Sequence, residues 1–258
     1  MLMYVISFVV TPLLLWGWGL LRFHRYKRLN LKVLMLFFVA GAVSGLIALL
    51  MNHSIEKYTM FWPDAEEQLL GTWDTGMPVY AYGFWFLVGF NEEFAKMLVL
   101  LMLFFPFRFI EEPLDGIFYS VTVAMGFATL ENLFYVSQYG YSILMTRSIV
   151  TLPAHMFMSV PVGYFVAKSR LLLEVRPLPP LGMTYSIRYI LAGWFLSSFL
   201  HGFYDFLLST EWRVFAYVQI LLMIAMAIIL SRHVMRVSPY KPPAEAIHMS
   251  NGGNPVKG

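Results

Sequence analysis

Residues 91–105, NEEFAKMLVLLMLFF, place two carboxylates and an ammonium at the head of a run of apolar side chains. The run has the composition of a membrane-spanning helix, in which a central charge costs about 2.5 to 3.5 kcal/mol. The whole chain has this character, because 59% of its 258 residues are hydrophobic and only 13% are charged. Soluble domains are about 45 to 50% apolar. The sequence therefore predicts a membrane protein, and Glu92, Glu93 and Lys96 need a reason to lie inside it.

Apolar runs separated by charged residues, Pro or Gly predict an all-α fold, a polytopic membrane helical bundle of about seven transmembrane helices. We expect one bundle domain over residues 1–237. Residues 238–258 are rich in Pro, Gly and Asn with little to bury, so we expect a disordered cytoplasmic tail there. The predicted spans centre near Leu13, Ala42, Gly89, Ala124, Ser159, Leu196 and Met223.

The distribution of basic residues predicts the orientation of the bundle. The segment after the first span, RFHRYKRLNLK at residues 22–32, carries five Lys or Arg residues. If the helices alternate in direction, most other basic residues fall on the same side, whereas the long loop at residues 53–80 is acidic. Since cytoplasmic loops are enriched in Lys and Arg, we expect the N-terminus outside and the C-terminus in the cytoplasm.

Ionisable residues recur in four neighbouring predicted spans. The third span holds Glu92, Glu93 and Lys96, the fourth Glu131, the fifth His155, and the sixth His201 and Asp205. At about 1.5 Å per residue, all of them fall at middle-to-outer depth in the membrane. Glu92 and Lys96 are four residues apart, as are His201 and Asp205, so each pair shares a helix face. We expect these side chains to converge on one partly hydrated pocket.

The chemistry of this set allows several functions. A carboxylate base and neutral imidazoles in a hydrated pocket suit amide hydrolysis, and Lys96 could neutralise one carboxylate while leaving the other as the base. Asp205 could orient the imidazole of His201, or the pair could hold a metal ion or a water molecule. The same groups could instead form the ion path of a transporter, although the chain shows no inverted repeat. A noncatalytic scaffold is a third reading.

Four short motifs resemble one protein family. In chain order they are EEFAK at residues 92–96, EN at 131–132 within ATLENLFY, TLPAH at 151–155 and HGFYD at 201–205. Together they resemble the PrsW family of intramembrane proteases, which is related to the CAAX prenyl endopeptidases and their bacterial relatives. The resemblance covers roughly residues 30 to 235, and its four-part order is more specific than any single motif.

The resemblance implies an endopeptidase that cleaves a single-pass membrane protein of the anti-sigma-factor class in the bacterial inner membrane. It implies a Glu92-activated water, with either a Zn²⁺ ion or a metal-free glutamate mechanism. The implied partners are the substrate and the lipid bilayer, with no nucleic acid. The implied catalytic residues are Glu92, Glu93, His155, His201 and Asp205. The supporting residues would be Lys96, Glu131 and Asn132, and the metal ligands would be His155, His201 and Asp205.

Overall fold

The computed structural model describes residues 30–59, 79–104, 110–175, 181–208 and 212–237. Every regular element in these ranges is helical, so the predicted all-α class is confirmed for them. The predicted first span near Leu13 and the predicted tail at 238–258 lie outside the described residues.

The described helices follow one another in a simple order. Three long helices come first: α1 (Leu31–Thr59), α2 (Val79–Phe104) and α3 (Pro113–Tyr139). A series of shorter elements follows: a 3₁₀ turn (Tyr141–Ile143), α4 (Leu144–Thr146), a π turn (Arg147–Thr151), α5 (Leu152–Met158) and α6 (Val160–Val175). Two long helices complete the described part: α7 (Leu181–Leu208) and α8 (Arg213–Val237).

Four helical stretches of the described chain are long and apolar enough to cross a membrane. They are Leu31–Ser54, Pro113–Tyr139, Tyr141–Leu173 and Arg213–Arg236. Helix α2 has 26 residues, which is about 39 Å at 1.5 Å per residue and also exceeds the bilayer core. It carries the charged residues Glu92, Glu93 and Lys96, which lower its apolar character.

Helix α3 lies at the centre of the bundle. Its residues from Leu114 to Ala128 are buried on all sides, whereas most of its last turns, after Ala128, are only partly buried. Helices α1, α2, α5 and α6 pack around it. The beginning of α3 is fixed by a capping box, in which Glu112 and Asp115 bond each other's backbone. The open end of the bundle is therefore the end near Tyr139.

A close contact between α2 and α7 brings their polar residues together. A Cβ atom on Gly89 would lie 2.6 Å from the backbone nitrogen of Gly202, and one on Gly202 would lie 2.6 Å from the Cα of Phe86. Only glycine permits helix backbones to approach so closely, as small residues do in other membrane bundles. Because Glu92 and His201 lie within one turn of these glycines, the contact places them side by side.

The helical stretch from Tyr141 to Leu173 is irregular where it enters the bundle. The π turn at Arg147–Thr151 precedes Pro153, which has no backbone N–H to donate. A second break occurs at Ser159, between α5 and α6. Short π segments of this kind occur frequently at functional sites. Here they separate the short helix α5, which carries His155, from the regular helix α6.

Candidate active site

Glu93 is the centre of a hydrogen-bond network that joins three helices. Its side chain is fully buried. Lys96 Nζ donates to Glu93 Oε1 at 2.7 Å, and Ser159 Oγ donates to Oε2 at 3.0 Å. His201 Nδ1 lies 3.0 Å from Oε1. Both oxygens of this carboxylate are therefore committed to donors, which offsets the cost of burying its charge.

The bond to Glu93 fixes the orientation of His201. A carboxylate accepts hydrogen bonds, so Nδ1 carries the hydrogen in this contact. The other ring nitrogen, Nε2, faces two further carboxylates. Nε2 lies 3.5 Å from Glu92 Oε2 and 3.5 Å from Asp205 Oδ2. Proteins usually orient a metal-binding or catalytic imidazole by a carboxylate on the nitrogen that does not take part in the chemistry, and here Glu93 holds Nδ1 in this way.

His155 has both of its ring nitrogens engaged. Lys96 Nζ lies 3.1 Å from Nδ1 and also 4.0 Å from the centre of the Phe127 ring. Because an ammonium group only donates, Nδ1 accepts and Nε2 carries the hydrogen. Nε2 lies 2.8 Å from Glu131 Oε2. A metal ion at His155 would have to replace one of these two contacts.

Glu131 is held in turn by Arg147 from the π turn. The guanidinium NH2 lies 2.9 Å from Glu131 Oε1, and Nε donates to Asn132 Oδ1 at 2.8 Å. The guanidinium also lies over the ring of Tyr135, 3.6 Å from its centre. Arginine suits such a site because its planar group can bond two partners and stack on a ring at the same time. Arg147 thus fixes the carboxylate that contacts His155.

Glu92 differs from Glu93 in having an uncommitted oxygen. Its Oε1 lies 3.5 Å from Asn52 Nδ2, a long hydrogen bond from α1. Its Oε2 is buried and has no hydrogen-bond partner among the described residues. The nearest cationic or imidazole partner recorded for Oε2 is His201 Nε2. A buried carboxylate oxygen without a donor needs an explanation, and a water molecule or an ion at this point would supply it.

These side chains line a cavity of about 630 Å³. The polar residues that face it include Glu92, Glu131, His155, His201, Tyr204 and Asp205. Arg147 and the aromatic residues Trp85, Tyr135 and Tyr139 line it as well. The volume suits an extended peptide segment of a few residues, since ligand pockets are typically about 300 to 1,000 Å³. Here Glu92, Glu93, Lys96, His155 and His201 together are called the acid–imidazole cluster.

One group of three residues in the described chain could hold a metal ion. Glu92, His155 and His201 each offer one ligand atom, and these atoms lie within 4.8 Å of one another. Two imidazoles and a carboxylate are a donor set that catalytic zinc sites use. The group differs from the set expected from sequence, because it contains Glu92 and does not contain Asp205. Asp205 instead lies beside His201 Nε2.

The structure brings all eight of the predicted site residues into one connected region. Asn132 is linked to the acid–imidazole cluster by Arg147, which bonds both Asn132 and Glu131. Lys96 links the two histidines, because it contacts His155 directly and His201 through Glu93. Three residues that hold the site in place were not predicted from the sequence: Asn52, Arg147 and Ser159. The signal for Arg147 was Glu131 itself, since a carboxylate within a span requires a cationic partner. No sequence signal pointed to Asn52.

Comparisons with known proteins agree with the motif resemblance. The family model described as PrsW family intramembrane metalloprotease matches residues 30–231. A protein named protease PrsW from Clostridioides difficile (strain 630) is 25% identical over 246 residues, covering 94% of this chain and 93% of the relative. Protease PrsW from Geobacillus kaustophilus (strain HTA426) is 32% identical over 152 residues, covering 59% of this chain and 63% of the relative. Protease PrsW from Bacillus subtilis (strain 168) is 30% identical over 121 residues, covering 47% of this chain and 51% of the relative.

No solved structure matches the chain. The family model covers more than three quarters of the sequence and includes all four motifs. The chain belongs to the PrsW family of intramembrane metalloproteases.

Proposed function

We propose that this protease hydrolyses a peptide bond of a single-pass membrane protein and that Glu92 is the general base. The observation that carries the proposal is the buried Glu92 Oε2, which has no hydrogen-bond donor among the described residues and lies 3.5 Å from His201 Nε2, in a residue that lines the cavity. A general base must be able to contact the water that it deprotonates. Glu92 is placed to do so.

The division of roles between the two adjacent glutamates follows from their contacts. Glu93 receives hydrogen bonds from Lys96, Ser159 and His201, so taking up a proton would break at least one of them. Glu92 would lose no short contact by accepting a proton at Oε2. We therefore assign Glu93 a positioning role, in which it orients His201 and balances the charge of Lys96.

The proposed reaction has a simple proton balance. Glu92 accepts one proton of the water molecule while the water oxygen forms a bond to the scissile carbonyl carbon, and the carbonyl π electrons move to its oxygen. The resulting tetrahedral intermediate expels the amide nitrogen. Glu92 returns its proton to this nitrogen, so that an acid and an amine leave the site. His201 and Asp205 flank the position of the water and hold it against Glu92.

The donor set fits a metal ion as well as a bound water. Glu92, His155 and His201 would hold it, and the partnerless Glu92 Oε2 is the atom that most needs such a ligand. A zinc ion bound there would lower the pKa of a coordinated water and polarise the scissile carbonyl. Glu93 would keep its role of orienting His201 through Nδ1.

The metal requirement has a direct test that does not depend on activity. Protein purified in detergent without chelators should contain about one zinc per chain by elemental analysis if the three residues bind it. The His201→Ala variant should then contain far less. Equal, near-zero metal in both proteins would favour the metal-free glutamate mechanism with the same residues.

We further propose the complete topology expected from sequence, with seven spans and the N-terminus outside. Residues 1–237 would form the bundle and 238–258 a cytoplasmic tail. The chain has no cysteine, so single cysteines can be introduced without removing others. Labelling of Asp64→Cys from the outside and of Ser250→Cys only after permeabilisation would support the orientation. The reverse pattern would overturn it.

The proposed substrate class is a single-pass anti-sigma factor of the bacterial inner membrane. The proposal is supported by the family resemblance and by the position of the cavity, which lies towards the end of α3 at Tyr139. In the proposed topology this end faces the outside. The cut should therefore fall near the extracytoplasmic end of the substrate helix, and mass spectrometry of the fragments would locate it.

The function is tested by replacing Glu92 with glutamine, which keeps the size and removes the base. In proteoliposomes with a model single-pass substrate, Glu92→Gln should lower kcat by about 10²- to 10⁴-fold, the usual contribution of a general base. Glu111→Gln makes the same chemical change at an exposed position, and it should cleave normally. Cleavage by Glu92→Gln at the wild-type rate would overturn the assignment.

A further inference from the structure

Tyr204 is a buried polar residue in the cavity that the proposed mechanism does not use. Its side chain is 2% exposed, and Tyr204 lines the same cavity as Glu92 and His201. Thr151 lies within interaction range. Even so, the hydroxyl makes no hydrogen bond of normal geometry with any described residue. Such a group costs free energy unless something pairs with it during function.

The position of Tyr204 in the fold places this residue next to the histidines of the site. Tyr204 follows His201 by three residues on α7, so the two side chains share a helix face. Thr151 precedes His155 by four residues, which is one helical turn or about 5.4 Å. Tyr204 and both imidazoles line the same cavity. A scissile carbonyl next to the water at Glu92 would lie between them.

Two charged donors of the site are already committed to other acceptors, and a third, Arg213, lines the cavity from an exposed position at the start of α8. Lys96 contacts Glu93 and His155, and Arg147 contacts Glu131 and Asn132. His201 Nδ1 contacts Glu93, and its Nε2 already lies between Glu92 Oε2 and Asp205 Oδ2, 3.5 Å from each. A developing oxyanion needs a donor that is in place beforehand and has no stronger acceptor of its own. Tyr204 meets both conditions.

We propose that Tyr204 is a catalytic residue that donates a hydrogen bond to the scissile carbonyl oxygen as it becomes an oxyanion. The proposal rests on the proposed hydrolysis, and it adds the donor that this reaction requires. The tyrosine keeps its proton throughout, because its O–H bond does not break. When the amine leaves, the electron pair on the oxyanion re-forms the C=O double bond. Tyrosine hydroxyl groups are among the side chains that stabilise oxyanions in other enzymes.

The test is Tyr204→Phe, which removes one oxygen atom and leaves the ring in its apolar contacts with Ala154, Met158 and Leu207. We expect kcat to fall by about 10²- to 10³-fold, the usual effect of losing one oxyanion donor. KM should stay within about twofold, because the bond is made in the transition state and not in the bound substrate. The midpoint of denaturation should not fall, since the hydroxyl has no partner of normal geometry to lose.

The matched control is Tyr189→Phe, which removes the same atom on the same helix far from the cavity, where Tyr189 packs on Phe165. It should have wild-type kcat and KM. A normal kcat in Tyr204→Phe, a change in KM alone, or a loss of stability equal to the loss of activity would each overturn the proposal.

The Glu92→Gln variant, measured in parallel, separates this inference from the proposed function. If Glu92→Gln is inactive and Tyr204→Phe is normal, only the role of Tyr204 fails. If Glu92→Gln is active but Tyr204→Phe loses kcat, only the choice of base fails, because oxyanion stabilisation does not depend on which group deprotonates the water.

Discussion

Two buried polar regions of the same bundle use their hydrogen bonds in opposite ways. The first is the contact between α3 and α6 at Gly116, Ser120 and Gly163, here called the glycine–serine contact. Ser120 Oγ donates to Ile117 O of its own helix at 3.0 Å. A Cβ on Gly163 would lie 2.0 Å from that Oγ, so the helices touch through small groups. The polar atom is satisfied before the helices meet.

In the acid–imidazole cluster the bonds join distant parts of the chain. Lys96 and His155 are 59 residues apart, Ser159 and Glu93 are 66 apart, and His201 and Glu93 are 108 apart. None of these bonds exists until α2, α5 and α7 have assembled. The difference teaches that burial alone does not identify a site. A buried polar group whose partners lie on other helices depends on the whole fold. Its removal should therefore lower the stability more than the removal of a group that bonds its own helix.

The largest effect should follow from Lys96→Met. This change leaves Glu93 buried without its 2.7 Å partner, and it removes the donor to His155. Breaking one side of a buried ion pair costs about 3 to 5 kcal/mol. We expect that loss in the free energy of unfolding, measured by SDS titration in bicelles, together with loss of cleavage.

The double variant Lys96→Met with Glu93→Gln tests the cause of this loss. It should recover part of the stability, because no uncompensated charge remains. Lys168→Met is the control, since Lys168 contacts only the ring faces of Tyr164 and Tyr189 among the interactions identified for it. A double variant that is no more stable than Lys96→Met would contradict the assignment of the cost to Glu93.

A smaller effect should follow from Ser159→Ala in the same cluster. The hydroxyl donates to Glu93 Oε2 at 3.0 Å, and hydrogen bonds to charged groups contribute about 1.5 to 3 kcal/mol. The loss should shrink to about 0.5 to 1.5 kcal/mol when Glu93 is also changed to glutamine, because the serine then bonds a neutral acceptor. A double-mutant cycle of unfolding free energies measures this coupling, and additive effects would argue against it.

In the glycine–serine contact, Gly163→Ala should lower stability by about 1 to 3 kcal/mol, because the added methyl group meets Ser120 Oγ and the carbonyl oxygen of Gly116, 2.4 Å away. The change overpacks the interface without touching the cavity. We therefore expect kcat per folded molecule to stay at the wild-type value. A fall in kcat without a fall in stability would break the distinction between the two regions.

The smallest effect should follow from Thr122→Val, which removes a hydroxyl that bonds Phe118 O of its own helix at 2.8 Å. Such back-bonding adds little to stability, so the free energy of unfolding should change by no more than about 0.5 kcal/mol. Activity should be unchanged. A loss as large as that of Ser159→Ala would show that bonds within a helix matter as much as bonds between helices.

Much of the site could be predicted from the sequence, because charge in a membrane is rare and costly. The four motifs identified the family, which selects protease over the transporter and scaffold readings. Helical spacing placed Glu92 with Lys96 and His201 with Asp205 on common faces. The catalytic roles of these residues stay predictions until the variants are measured.

The supporting residues could not be predicted in the same way. Arg147 lies far along the chain from the first motif and belongs to none of the four motifs. Arg147 lies in a π turn, which brings its side chain to Glu131, and the residues around it give no sequence signal for such a turn. Asn52 and Ser159 are ordinary polar residues by composition. They acquire partners only because neighbouring helices meet at those positions.

The sequence by itself determined the membrane-spanning character, the helical class and the set of ionisable residues, because hydrophobicity and helical spacing are local properties of the chain. Only the tertiary structure decided which glutamate is fully paired, which glutamate lines the cavity, and that Tyr204 is buried beside it. These features depend on distances between helices. Those distances are set by close contacts such as that between Gly89 and Gly202, which no single segment contains.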